Sequence, residues 1–139
     1  MIVVLDTNII MDALQERQPF DVEAKEILMR SQNGKDFTSL FTVNAAADIF
    51  YLYSKARDMK SAKAALDFLL TNYGVVSISQ DECKAALALS IDDFEDALVV
   101  ISAQRANADY IITRDDKLLS AASPVEIISP RGFLDALAD

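Results

Sequence analysis

The sequence predicts an α/β fold, with a central parallel sheet of four to five strands covered by helices on both sides. Three observations carry this. Short apolar runs rich in β-branched residues recur along the chain, at Ile2–Leu5, 75–78, Tyr110–Ile112 and 125–128. Longer segments with helical spacing of their apolar residues separate them. The first run, Ile-Val-Val-Leu, is apolar at every position, as a strand buried on both faces of a parallel sheet requires.

Each element follows from its local signals. After the strand Ile2–Leu5, Asp6-Thr7-Asn8 turns the chain into a helix over 9–15, with Asn8 placed to cap it. Pro19 punctuates, and a second helix, Asp21–Ser31, ends near Asn33-Gly34. Residues 36–40 read as the second strand. Thr42 caps a helix running to Ala56, and a further helix over 60–72 stops at Tyr73-Gly74. The third strand covers 75–78, and helices follow over 81–89 and 93–107. The fourth strand is Tyr110–Ile112, followed by a short helix over 117–121 and a fifth strand over 125–128. Pro130 opens a terminal helix. Right-handed crossovers between alternating strands and helices make the strands parallel. The 139 residues suit a single domain over 1–139, and three glycines and three prolines leave little room for linkers.

Composition narrows the chemistry. There is no histidine, which excludes Ser-His-Asp triads, imidazole acid–base catalysis and histidine metal ligands. Cys83 is the sole cysteine, so no internal disulfide can form. The N-terminus lacks a basic leader, and no apolar run approaches the roughly 18 residues of a spanning helix. A soluble, cytoplasmic protein with no membrane association is expected. The net charge of −9 counts against phosphate binding through a Lys/Arg surplus, and is consistent with an acidic site completed by metal ions.

The acids are therefore the candidate functional groups. In open parallel sheets, ligands bind beyond the carboxyl ends of the strands. Asp6 directly follows the first strand, and Asp115 follows the fourth through Thr113-Arg114, so topology brings both to one edge. Asp6 has an alternative reading as a turn residue bonding its own backbone. Asp48 sits among Ala45, Ala46, Ala47, Ile49 and Phe50, where a charge is costly unless paired or metal-bound; otherwise it shares a narrow solvent face with Asn44. In Asp92-Asp93-Phe94-Glu95-Asp96, Asp92 as N-cap and Glu95 three residues on would form a capping box. That leaves Asp93 and Asp96 on one helix face, where a shared cation would relieve their repulsion. Asp116 reads by default as the cap of the short helix, and Asp115 is favoured for the site. Two unit charges at about 4 Å repel by about 4 kcal/mol at an effective dielectric near 20, so such a cluster needs raised pKa values or cations. Oxygen-only ligation favours Mg²⁺ or Mn²⁺.

Four stretches now form an ordered set that resembles the PIN-domain family of nucleases, in particular its bacterial, toxin-like members. They are Val4-Leu5-Asp6-Thr7-Asn8, Ala47-Asp48-Ile49-Phe50-Tyr51, Asp93-Phe94-Glu95-Asp96-Ala97-Leu98 and Asp109-Tyr110-Ile111-Ile112-Thr113-Arg114-Asp115. The resemblance implies a three-layer α/β/α sandwich and Mg²⁺- or Mn²⁺-dependent cleavage of single-stranded RNA. It implies Asp6, Asp48, Asp96 and Asp115 as the catalytic acids, with Asp93 as an auxiliary metal ligand. Asp48 stands where many members have Glu, and Lys117-Leu118-Leu119 replaces an Asp-Phe pair that often follows the last acid, leaving Asp115 and Asp116 as alternatives. The family also implies an antitoxin protein as partner and a homodimer. Two other readings stand beside this one: a non-catalytic PIN-like RNA- or protein-binding module, and a Mg²⁺-dependent aspartyl phosphotransfer protein. Among the cations, Arg114 and Lys117 lie next to the proposed site, whereas Lys55, Arg57, Lys60 and Lys63 read as an ordinary solvated helix end. Phe50 and Leu52 are expected in the core.

Overall fold

The computed structural model describes all 139 residues. Its five strands are β1 (Ile2–Leu5), β2 (Thr38–Thr42), β3 (Gly74–Val76), β4 (Tyr110–Ile112) and β5 (Glu126–Ile128). They form one sheet in the order β3-β2-β1-β4-β5, parallel throughout. The eight α-helices are α1 (Thr7–Leu14), α2 (Asp21–Ser31), α3 (Val43–Ala56), α4 (Met59–Asn72), α5 (Gln80–Leu87), α6 (Phe94–Arg105), α7 (Asp116–Leu119) and α8 (Pro130–Ala138).

Side-chain alternation along β1 divides the core. Val3 and Leu5 face a layer built from α1, α2, α3 and α8, with Ile9, Ile27, Ile49 and Phe133 fully buried there. Val4 faces the other side, against Val100 and Ala103 of α6 and Leu118 of α7. Helix α6 is buried continuously from Ala97 to Ala103, because it packs on the sheet and also receives α5 through Leu98 and Ile101. The expected sandwich of helix, sheet and helix layers is the observed fold.

The chain leaves β1 toward β2 on one side and returns to pair β4 on the other. The strand order therefore reverses between β1 and β4, where an open α/β sheet forms its ligand crevice. No helix is long and apolar enough to cross a membrane.

Several boundaries shift from the sequence reading. β2 runs two residues later than expected because it pairs in register with β1, Ile2 opposite Thr38. β3 begins at Gly74 and ends at Val76, and Ser79 then caps α5 through a capping box with Glu82. Leu52 is 40 % exposed rather than in the core, because the α3 face that carries it turns toward the crevice.

Candidate active site

Four helices begin at this crevice; the Thr42 hydroxyl caps α3, and a carboxylate caps each of the other three. Asp6 ends β1 and caps α1, its Oδ1 accepting from the Thr7 backbone N–H at 2.8 Å. Asp93 caps α6, its Oδ1 accepting from the Asp96 N–H at 3.0 Å. Asp115 caps α7, its Oδ1 accepting from the Lys117 N–H at 3.1 Å. Each anion sits where a helix presents unpaired N–H groups and the positive end of its dipole.

These caps correct three expectations. Asn8 does not cap α1, because the helix starts one residue earlier, directly from the strand end. The Asp92–Glu95 capping box does not form, because α6 starts at Phe94 and Asp93 occupies the cap. Asp116 is not the cap of α7 but its first residue, exposed and outside the pocket. Of the two alternatives, Asp115 lines the pocket.

A hydroxyl ties β4 to this corner. Thr113, fully buried, donates from Oγ1 to Asp6 Oδ2 at 2.8 Å. The same Oγ1 accepts from Asn8 Nδ2 at 3.3 Å and from the Asp115 N–H at 3.1 Å. Asn8 Nδ2 also reaches Asp6 Oδ2 at 3.2 Å. One turn further along α1, Asp12 is wholly buried and accepts two bonds from Arg114, from Nε at 2.6 Å and Nη2 at 3.0 Å. The Arg114 guanidinium stacks on Phe20, 4.1 Å from the ring centroid. Arg114 is therefore a strut between α1 and the β4–α7 turn, and not the free cation that its place beside Asp115 implied.

The pocket gathers all five acids expected from the sequence: Asp6, Asp48, Asp93, Asp96 and Asp115. Glu95, which the capping-box reading had set aside, lines it too. Asn44 and Thr42 of the β2–α3 corner, and Arg17 beyond α1, complete the polar wall. The signal for Glu95 was present as a fourth acid in the same run, whereas nothing in the sequence marked Arg17.

Burial and crowding push three of these carboxyls, Asp6, Glu95 and Asp96, toward the protonated form. Burial is the largest cause of a raised pKa at Asp6; Asp115 and Asp93 add to it, and the bonds from Thr113 and Thr7 oppose it. Asp96 is pushed up to about 6, first by burial and then by the charges of Asp93, Asp6 and Asp115, with Lys117 pulling the other way. Glu95 is raised by burial and then by Asp48 across the pocket. The donor set is all oxygen and all anionic, which fits a hard divalent cation. No three of the acids converge tightly enough to make a ready-built metal shell.

The PIN domain family model matches residues 2–117 of the chain. No curated protein sequence matches it. Among solved structures, VapBC2 from Rickettsia felis, bound to a DNA fragment from its promoter, aligns with a TM-score of 0.72 at 20% identity, covering 93% of this chain and 98% of that one. A toxin–antitoxin complex from Klebsiella pneumoniae aligns at 0.69 and 22% identity, covering 92% and 97%. VapC20 of Mycobacterium tuberculosis, a sarcin–ricin loop cleaving toxin, aligns at 0.70 and 16% identity, covering 87% and 95%. At such identities the likeness is one of fold. The family match spans most of the chain, starts within β1 and ends just past Asp115, so that it includes every acid of the pocket: the chain belongs to the PIN-domain family.

Proposed function

We propose that the chain is a metal-dependent endoribonuclease that hydrolyses phosphodiester bonds of single-stranded RNA. The observation that carries this reading is the pocket itself. Carboxylates from four separate segments meet at the switch point of the sheet, in a PIN-domain chain that has no histidine to offer as base or ligand. Asp6, Asp48, Asp96 and Asp115 would hold Mg²⁺ or Mn²⁺, with Asp93 and Glu95 beside them. Held by these residues, a divalent ion would supply a lowered water pKa and charge neutralisation at the leaving oxygen. Thr113 and Asn8 fix the rotamer of Asp6 from Oδ2, so its position does not depend on the ion. Asp93 and Asp115 each commit Oδ1 to a cap, which leaves Oδ2 available to the pocket.

The aspartyl phosphotransfer reading is disfavoured by the residue two positions after Asp6, which is Asn8 where a strand-end aspartyl phosphatase needs a second Asp. The non-catalytic module draws support from the lack of a ready three-carboxylate shell. A calorimetric titration with Mn²⁺ separates it from the enzyme: the enzyme binds, and Asp6→Asn binds more weakly. Toxin–antitoxin complexes among the structural relatives support an antitoxin partner; that this partner denies RNA the acidic pocket, and that the chain acts in the cytoplasm, are parts of the same proposal. A homodimer is part of the same proposal. The decisive assay is cleavage of single-stranded RNA with Mg²⁺ or Mn²⁺, with Asp6→Asn and Asp96→Asn as controls. Cleavage that persists in EDTA overturns the proposal.

A further inference from the structure

The pocket that holds the acids has one cation in its wall, Arg17. Its guanidinium is held in place from behind: Nε donates to Gln15 Oε1 at 3.0 Å and Nη1 lies 3.7 Å from the buried Asp12 carboxylate. A second hollow adjoins the first and shares two of its residues, Asp93 and Asp96. It too has a single cation, Lys117, whose ammonium makes no salt bridge. Asp93 and Asp96 are thus common to both hollows, one of which has Arg17 in its wall and the other Lys117. The other cations near the site are occupied. Arg114 is clamped by Asp12, while Lys55 and Arg57 lie over the rings of Tyr51 and Tyr53.

Resting on the nuclease reading above, we propose that these joined hollows are the track of a single-stranded phosphodiester chain. Arg17 grips a phosphate on one side of Asp93 and Asp96, and Lys117 grips a phosphate on the other. A chain of net charge −9 cannot draw in a polyanion by its overall field, so affinity has to come from cations placed locally along the path. Two grips astride the acids also hold the strand against sliding, which positions the intervening phosphodiester over the carboxylates. Neither residue touches the reacting atoms; both are binding residues.

The test is fluorescence anisotropy with end-labelled oligouridylate and oligodeoxythymidylate, in Ca²⁺, with probe integrity checked on a gel. Arg17→Ala and Lys117→Ala are each expected to weaken binding about tenfold, the scale of one charged hydrogen bond. Each should also lower the slope of log affinity against log salt by about 0.7, the value for one phosphate on a single strand. Arg17→Lys retains the salt slope. The loss is the same on both probes, because the cations read phosphate and not sugar; a loss confined to one probe overturns the assignment. So does a wild type that binds neither probe, unchanged affinity and slope in folded Arg17→Ala and Lys117→Ala, or a slope that falls instead in Lys60→Ala and Lys63→Ala. Lys35→Ala, at the opposite edge of the sheet, serves as control. The two proposals fail separately. A wild type that binds without cleaving in Mg²⁺ or Mn²⁺ overturns the nuclease and leaves the track. Cleavage by a wild type whose two variants keep full affinity overturns the track alone.

Discussion

Asp12→Ala should be the most damaging single substitution outside the apolar core. The Asp12 carboxylate is wholly buried and takes a bidentate contact from Arg114 at 2.6 and 3.0 Å, with Arg17 at 3.7 Å as a second positive neighbour. Removing it leaves Arg114 without a counter-charge. Breaking a buried pair in this way costs about 3–5 kcal/mol. The Arg114 side chain is 32% exposed and keeps its stack on Phe20, so part of the guanidinium can turn to water. The lower end, about 3 kcal/mol, is expected, which for a domain of this size lowers Tm by roughly 10 °C. Asp12→Asn preserves the volume and one acceptor and should lose about half as much. Arg131→Ala is the internal standard, since it breaks exposed pairs with Glu23 and Asp135 that contribute under about 1 kcal/mol. Thermal unfolding followed by circular dichroism measures all three. If Asp12→Ala loses no more than Arg131→Ala, the Asp12–Arg114 strut does not hold α1 to the β4–α7 turn.

Asp96→Asn should stabilise the metal-free protein at neutral pH, by on the order of 1 kcal/mol after allowing for solvent screening at this partly exposed site. The sign follows from the carboxyl, which is 3.8 unfolded and about 6 folded, so the folded state retains its proton across that interval while the unfolded state has lost it. Metal-free stability therefore falls as pH rises from about 4 to 6, and urea midpoints should lose that part of the decline in Asp96→Asn. Thr113→Val removes the donor to Asp6 and the acceptor of the Asn8 and Asp115 N–H groups at constant volume. It should cost about 1–3 kcal/mol and weaken Mn²⁺ binding in calorimetry; unchanged metal affinity would show that Asp6 does not depend on Thr113 for its orientation.

The parts of this fold that could be read in the sequence are those set by local periodicity. The all-apolar Ile2–Leu5 run could only be a central strand, and strand–helix alternation then fixed a parallel sheet with Asp6 and Asp115 on one edge. The misplaced caps share one cause. In Asp6-Thr7-Asn8, Asp92-Asp93 and Asp115-Asp116, adjacent residues are both competent caps, so local chemistry cannot choose between them. Tertiary packing chooses: Asp6 is fixed by the bond from its own N–H to Ile112 O on β4, and the helix starts from there. Asp12 was overlooked because its partner lies 102 residues away. An acid inside Ile-Ile-Met-Asp-Ala carries the same sign of pairing as Asp48, but local sequence does not say which residue pairs with it. Arg17 could not be found either, since its role exists only once the turn after α1 meets the pocket.

Capping and metal binding, set against each other when each acid is read alone, are compatible at this site, because a carboxylate has two oxygens. Asp93 and Asp115 spend Oδ1 on a backbone N–H and keep Oδ2 for the pocket. The helix ends also offset part of the repulsion among the acids, so the cluster can persist without cations. This separates stability from charge in a way that substitution can test. Asn caps a helix about as well as Asp, whereas Ala forfeits about 1 kcal/mol. In the metal-free protein, Asp93→Asn and Asp115→Asn should therefore equal or exceed the wild-type Tm, because they keep the cap and remove a like charge. Asp93→Ala and Asp115→Ala should fall below the corresponding Asn variants by about 1 kcal/mol. Added Mn²⁺ should raise the Tm of the wild type by mass action, and all four variants should show a smaller rise. Equal stability of the Asn and Ala variants would mean that the caps contribute nothing and that the acids are kept for charge alone.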